Sequence, residues 1–156
     1  MTIPPDRIDR SILDALQHDG RLTNVELARR VNLSPPACLE RVRRLEKSGL
    51  ISRYVALLDP AKLGSGLLVF IEVILDRTTP DVFDRFKEAV GAMPEVQECY
   101  MVAGGFDYLV KARVKDMAAY RDFLGNSLVA LPGVRETHTY AVMEEVKATT
   151  ALPLPG

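Results

Sequence analysis

Cysteine is nearly absent from this sequence: Cys38 and Cys99 are the whole complement in 156 residues. Two thiols build neither a disulfide scaffold nor a four-cysteine zinc site, and the usage suits a reducing cytoplasm. Histidine is as scarce, and His18 and His138 stand far apart in the chain. No metal-ligand spacing and no nucleophile–base constellation arises, so neither a cofactor nor catalysis is expected. Long apolar runs are missing too, well short of the roughly 20 residues of a membrane span. The opening MTIPPDRIDR has no apolar signal core, which points to a cytoplasmic protein with no membrane partner. Charge of one sign is also lacking: 20 Lys+Arg against 21 Asp+Glu give a net of -1. Any affinity for nucleic acid must therefore come from a local patch. What the chain does have is apolar substance. At 47% hydrophobic it is too apolar for disorder and long enough for one common-sized domain or two small ones.

The balanced charge conceals a division near Asp59 and Pro60. Residues 1–60 carry ten basic and eight acidic side chains, and residues 61–156 carry ten and thirteen. Within the first part, residues 29–53 hold seven basic groups (Arg29, Arg30, Arg41, Arg43, Arg44, Lys47, Arg53) and only Glu40 and Glu46 against them. That segment is the candidate phosphate-binding face.

The first part reads as three helices. DRIDRSILDALQHDG places Ile8, Ile12, Ala15 and Leu16 on one stripe and ends at Gly20. TNVELARRV opens with Thr23 and Glu26 in capping-box spacing. SPPACLERVRRLEKSG begins with Ser34 as a hydrogen-bonding N-cap and Pro35 at the first helical position. At 100° per residue, Cys38, Leu39, Val42 and Leu45 face inward. Pro36, Ala37, Glu40, Arg43, Arg44 and Lys47 face outward, with Arg41 at the border. Gly49 is the expected stop, and LISRYVALLDP reads as a strand-like exit. Two short helices joined tightly, the second with small residues at its start and arginines further along, suit DNA reading. Local pairing of the arginines with Glu40 or Glu46 is the competing reading.

The second part reads strand, helix, strand, strand, helix, strand. LLVFIEVIL (67–75) is apolar on both faces: Leu67, Val69, Ile71, Val73 and Leu75 on one, Leu68, Phe70 and Ile74 with Glu72 on the other. PDVFDRFKEAVG is a helix. EVQECYMVAG and FDYLVKARV form a hairpin through Gly104 and Gly105. DMAAYRDFLGNSLVAL is a second helix with Met117, Tyr120, Leu124 and Leu128 inward, and VRETHTYAVM is the last strand. This is the ferredoxin-like order, with both helices on one sheet face. The other face of residues 67–75 then needs a second subunit. Leaving about 400 Å² of apolar surface wet forgoes about 10 kcal/mol at ~25 cal/mol per Å².

The segments DRIDRSIL, GRLTNVELARRV, LSPPACLERVRRLEKSGLI, LLVFIEV, FDYLVKARV, LPGVRETHTY and VMEEVK together resemble the Lrp/AsnC, or feast/famine, transcriptional regulators. The resemblance runs from about Asp6 to Lys147. It implies an α+β chain, with a winged-type helix-turn-helix domain (1–53), a connector (54–65), a ferredoxin-like βαββαβ dimerisation and effector-sensing domain (66–147) and a flexible tail (148–156). It implies double-stranded DNA as partner, a homodimer assembling to an octamer, and control of amino-acid metabolism through a small amino-acid effector such as leucine. An amino-acid-binding assembly protein that docks another protein is the alternative.

By the same resemblance, DNA binding falls to Asn24, Ser34, Pro35, Pro36, Ala37, Glu40, Arg41, Arg43, Arg44 and Lys47. Effector binding falls to the hairpin Met101, Val102, Ala103, Gly104, Gly105, Phe106, Asp107 and Tyr108, to Met117, and to Thr139, Tyr140, Ala141 and Val142. Asp107 is a candidate for an amino-acid ammonium group or, alternatively, a cap on backbone N–H groups. Gly105 stands where similar proteins carry an acidic residue before Phe-Asp-Tyr. Pro36 and Ala37 depart from the family's serine, proline, small residue, proline run.

Overall fold

The computed structural model describes residues 4–154 of the chain. They divide into two compact units. One runs to Leu57 and takes back the chain from Lys147 onward; the other is Leu58–Val146.

In the first unit, α1 is Arg7–His18, α2 Asn24–Arg30 and α3 Pro35–Lys47. Each start has a local cause. Asp6 caps α1, accepting from the Asp9 N–H while the Asp9 carboxylate accepts from the Asp6 N–H. Thr23 and Glu26 form the expected box on α2. Ser34 occupies the N-cap of α3, but its side chain makes no capping hydrogen bond. The Asn24 amide instead donates to the Pro35 carbonyl at 2.8 Å, tying α2 to the first turn of α3. Gly49 ends the helix at a φ of 79°, a conformation that glycine adopts freely. Ile12, Leu27, Ala28, Cys38 and Leu45 form the buried centre. Leu39, expected inward, is exposed; it borders a small groove with Leu16, Leu22, Val42 and Tyr54. Residues 50–60, expected to be a strand-like exit and a connector, contain no strand.

Of the tail expected to be flexible (148–156), residues 155 and 156 lie outside the described residues, and Leu152 is docked. The Leu152 N–H donates to Gln17 Oε1 at 2.9 Å and the Gln17 amide donates to the Leu152 carbonyl at 3.0 Å. One side-chain amide thus satisfies both polar groups of a backbone residue, as a neighbouring strand would.

In the second unit, β1 is Leu67–Leu75, α4 Pro80–Gly91, β2 Val96–Met101, β3 Tyr108–Val114, α5 Met117–Phe123 and β4 Val134–Ala141. The sheet order is β2-β3-β1-β4, with all neighbours antiparallel. That is the ferredoxin-like βαββαβ arrangement. The helix expected over residues 116–131 is regular only to Phe123. Leu124–Leu128 continues as a wider π-type turn, closed by the Val129 N–H on the Leu124 carbonyl. Met117, expected inward, is 57% exposed: it opens the helix, ahead of the turn that packs Tyr120 and Phe123 on the sheet.

Val69, Ile71, Val73 and Leu75 of β1 join Val110 and Ala112 of β3 in packing against Val82, Phe86 and Val90 of α4 and Tyr120, Phe123 and Leu128 beyond it. Phe86 and Tyr108 lie 4.5 Å apart between ring centroids. On the other face Phe70, Glu72 and Ile74 are only half-buried. Around them sit Lys111, paired with Glu98 at 2.8 Å, and Tyr140, which donates to Glu72 at 3.2 Å. No helix of this unit covers this face, as the two-sided apolar pattern of β1 anticipated.

Candidate functional site

Helix α3 presents two kinds of cation. Arg43 and Lys47 are exposed and take part in no ion pair among the described residues. Arg41 and Arg44 turn toward α1 instead. Arg41 Nη1 donates to Asp6 Oδ2 at 2.7 Å and to Asp9 Oδ1 at 2.9 Å. Arg44 Nη2 donates to both Asp9 oxygens, at 2.8 and 2.7 Å. Arg41 holds the Asp6 carboxyl below its usual range, and the two aspartates raise the Arg41 guanidinium. Glu40 makes no ion pair among the described residues, and Glu46 accepts from the Tyr54 hydroxyl. Burial, and then that hydrogen bond, push Tyr54 up to about 12. The expected alternative, pairing of the arginines with Glu40 or Glu46, does not occur among the described residues: the partners of Arg41 and Arg44 are Asp6, the cap of α1, and Asp9 in its first turn.

Of the other candidate DNA contacts, Ser34, Pro35 and Pro36 are exposed and Ala37 half-buried at the N-terminal end of α3. Asn24 spends its amide on Pro35. Cys38 is fully buried, and burial raises its thiol pKa, in keeping with a packing residue of the helical core.

Sequence reasoning missed Asp6 and Asp9. A signal was available: Asp9 is seven residues before Leu16 and falls about 20° from it on a helical projection. An acidic residue on the inward stripe of an amphipathic helix needs a cationic partner.

The effector candidates form two groups. The turn Val102–Asp107 sits at the Leu75 end of β1. Its Val102 N–H donates to the Asp107 carbonyl, the Asp107 N–H to the Val73 carbonyl, and Asp107 Oδ2 accepts from the Leu75 N–H at 2.8 Å. Asp107 is thus a backbone tie, in keeping with the capping alternative. Ala103, Gly104 and Gly105 are exposed, Phe106 is half-buried and Met101 exposed. Tyr108 is buried, and its hydroxyl has no hydrogen-bond partner. Added Cβ atoms at Gly104 or Gly105 would meet nothing within 4 Å.

The second group lies toward the opposite end. The Val142 N–H donates to the Leu68 carbonyl, Ala141 pairs with Val69, and Met117 follows the end of β3 that pairs with Leu67. Tyr140 is exposed on the open sheet face. Thr139 points to the helix side, sharing a hydrogen bond with the Tyr120 hydroxyl. From the Leu75 N–H on Asp107 to the Leu68 carbonyl beside Val142 the strand spans about 23 Å at ~3.3 Å per residue, whereas Tyr108 and Thr139, opposite Val73 and Ile71, are set only about 7 Å apart along it. The structure therefore does not gather the turn and the end of β4 into one pocket within this chain.

Among the described residues there is no cluster of His, Cys, Asp or Glu fit to hold a metal, and no helix is long and apolar enough to cross a membrane.

Comparison with known proteins bears on the same two units. Residues 68–152 match the Lrp/AsnC ligand binding domain, and residues 5–52 match a winged helix-turn-helix DNA-binding domain. The leucine-responsive regulatory proteins of Klebsiella pneumoniae and Escherichia coli K12 are each 59% identical over 147 residues, covering 94% of this chain and 90% of theirs. Among solved structures, a transcriptional regulator from Neisseria meningitidis in complex with L-methionine superimposes with a TM-score of 0.92 at 42% identity, covering 95% of this chain and 96% of that one. An AsnC family transcriptional regulator from Agrobacterium tumefaciens gives 0.91 at 39%, with the same coverage.

Proposed function

The chain belongs to the Lrp/AsnC family of DNA-binding transcriptional regulators and is not an enzyme; from that premise we propose that it reads double-stranded DNA with α3 and regulates genes of amino-acid metabolism from the cytoplasm. The observation that carries the reading is the outward face of α3, where exposed Arg43 and Lys47 follow the small residues Pro36 and Ala37. The cations position the module on phosphate, and the small residues let the start of the helix approach base edges. Ser34 and Glu40 share this face. Asn24 sets the first turn of α3 through Pro35.

Selection of a binding duplex from a random pool, followed by titration of the full chain between 50 and 200 mM salt, tests this. Log K is expected to fall linearly with log salt, because phosphate contacts release counterions. Arg43→Ala with Lys47→Ala should weaken binding at every salt concentration and flatten that slope by about 1.8 for each copy that meets the duplex, at roughly 0.9 per phosphate contact. A chain that retains no duplex at 50 mM salt, but captures another protein, would favour the docking alternative.

We further propose that the open face of β1 joins two copies, that such dimers assemble toward an octamer, and that the effector binds between subunits. What supports the last point is that the turn 102–107 lies at the Leu75 end of β1 and Ala141, Val142 and Met117 at its Leu67 end, so that different copies are needed to bring these groups to one ligand. The chemistry fits an aliphatic amino acid. The enteric relatives are named for leucine and the Neisseria regulator holds L-methionine; Met101, Phe106 and Met117 supply apolar contacts of matching kind. In a thermal-shift screen of the twenty amino acids, leucine or methionine should raise the melting temperature. Gly105→Glu, which meets no steric obstacle, should alter which amino acid does so. Equal responses of parent and variant to all twenty would remove the turn from the site.

A further inference from the structure

We propose that Asp9 is the positioning residue of the DNA-reading helix, and that Arg41 and Arg44 act on DNA through it rather than by gripping phosphate. This deepens the reading above and rests on it. The Asp9 side chain is 4% exposed, and Asp9 is the one buried charged residue among those described. Everything that makes its burial tolerable comes from two places. The Asp6 N–H donates from the α1 cap at 3.2 Å, and Arg41 and Arg44 donate from α3 at 2.7–2.9 Å. Asp6 accepts from Arg41 as well, so the capping box and the two guanidiniums form one network across the α1–α3 seam.

Two consequences follow from this geometry. First, the arginines are not free to leave. Swinging either one to a phosphate weakens the support of a buried carboxylate, a large penalty, in return for an exposed ion pair, a small gain. Second, Arg41 and Arg44 are one turn apart on α3 and converge on a single carboxylate. That fixes the rotation of α3 beyond the first turn, which the Asn24–Pro35 hydrogen bond holds, and so aims Arg43 and Lys47. The cations of α3 therefore have divided tasks: Arg43 and Lys47 meet the duplex, and Arg41 and Arg44 hold the aim.

Three variants of the full chain, Asp9→Asn, Arg44→Ala and Arg43→Ala, separate these tasks on a selected duplex and on a scrambled one. Arg43→Ala should reduce affinity for both duplexes and lower the salt slope by about 0.9 for each copy on the duplex. Arg44→Ala should cut affinity for the selected duplex tenfold or more and leave the salt slope as in the parent. Asp9→Asn should lose the same preference while keeping or gaining affinity for the scrambled duplex, since it releases two cations. A general loss of structure would weaken both. Arg44→Ala in an Asp9→Asn background should add little.

If Arg44→Ala lowers the slope as Arg43→Ala does, or Asp9→Asn keeps the parent's preference, the assignment is overturned. Should Asp9→Asn not fold, Arg44→Ala decides, because Arg41 still serves Asp9 there. Amide hydrogen exchange of the free protein supplies a readout that needs no DNA. Arg44→Ala should speed exchange in α3 tenfold or more relative to α2. Unchanged exchange defeats the positioning role even if DNA binding is intact, whereas failure to bind any duplex, with exchange altered as stated, defeats only the functional reading.

Discussion

Gly133→Ala is expected to lower the melting temperature of the sheet unit by about 10 °C or more. Two penalties coincide at this position. Its φ is 79°, where a Cβ costs roughly 1–2 kcal/mol. A Cβ built there would also lie 2.5 Å from Val82 Cγ1. Val82 is buried on α4 and has little room to retreat, so relief must come from a shift of the helix or of the turn, at about 1–3 kcal/mol. The turn is not free to move either: the Gly133 carbonyl accepts from the Asp76 N–H at 2.8 Å, and β4 pairing starts at Val134. A loss of about 2–5 kcal/mol in a unit of this size corresponds to the stated drop, at roughly 4–8 °C per kcal/mol. Gly91→Ala is the matched control. Gly91 ends α4 in open space and without a positive φ, so alanine there should be neutral or gain up to ~1 kcal/mol. Thermal denaturation of the two variants side by side checks the claim; equal melting temperatures would show that α4 and the Gly133 turn are not closely packed.

Phe70→Lys is expected to separate the assembly into single chains without unfolding them. Phe70 sits at the middle of the open sheet face, with Lys111 beside it on β3 and Tyr140 on β4. The substitution places a second ammonium directly across from Lys111, and no carboxylate is added to balance it. Within one chain the cost is modest, because Phe70 is half-buried and lies outside the cluster beneath α4 and α5. Between two chains it sets charges against charges on a surface that should close without water. Light scattering should report a monomer at micromolar concentration, and circular dichroism should report a parental fold. Affinity for a two-half-site duplex should fall by about a hundredfold or more, because two modules no longer act at a shared effective concentration. A variant that keeps the parental mass would move the interface elsewhere.

Much of this was readable from residue order alone, because the deciding forces are local. Thr23 with Glu26, Pro35 at the start of α3 and Gly49 after its end mark helix limits by backbone chemistry within a few positions. The alternation in Tyr108–Val114 and its absence in Leu67–Leu75 tell a strand with one buried face from a strand flanked on both. Other features depend on partners far along the chain. The Asp9–Arg44 bond joins residues 35 apart and the Gln17–Leu152 exchange joins residues 135 apart; no periodicity registers either. Leu39 and Met117 were assigned inward by angle, yet each sits where its helix face opens to solvent. The cation cluster on α3 was legible as a cluster. Its division into gripping and aiming residues was not, because that depends on which side of the helix meets α1.

The docking of the chain beyond Lys147 onto α1 also bears on how this protein is made. The three helices precede the sheet unit in the chain and Leu152 follows it, so synthesis delivers the Gln17–Leu152 contact only after the sheet unit has emerged. The helical unit therefore leaves the ribosome without this contact and gains it only once residue 152 is free. A messenger cut short after β4 would yield subunits able to build the sheet and pair through it, yet without the Gln17–Leu152 clasp. Mixed with intact chains, such products would occupy places in an assembly with a loosened α1, so that a stop codon between Ala141 and Leu152 should weaken the function of an intact copy made beside it.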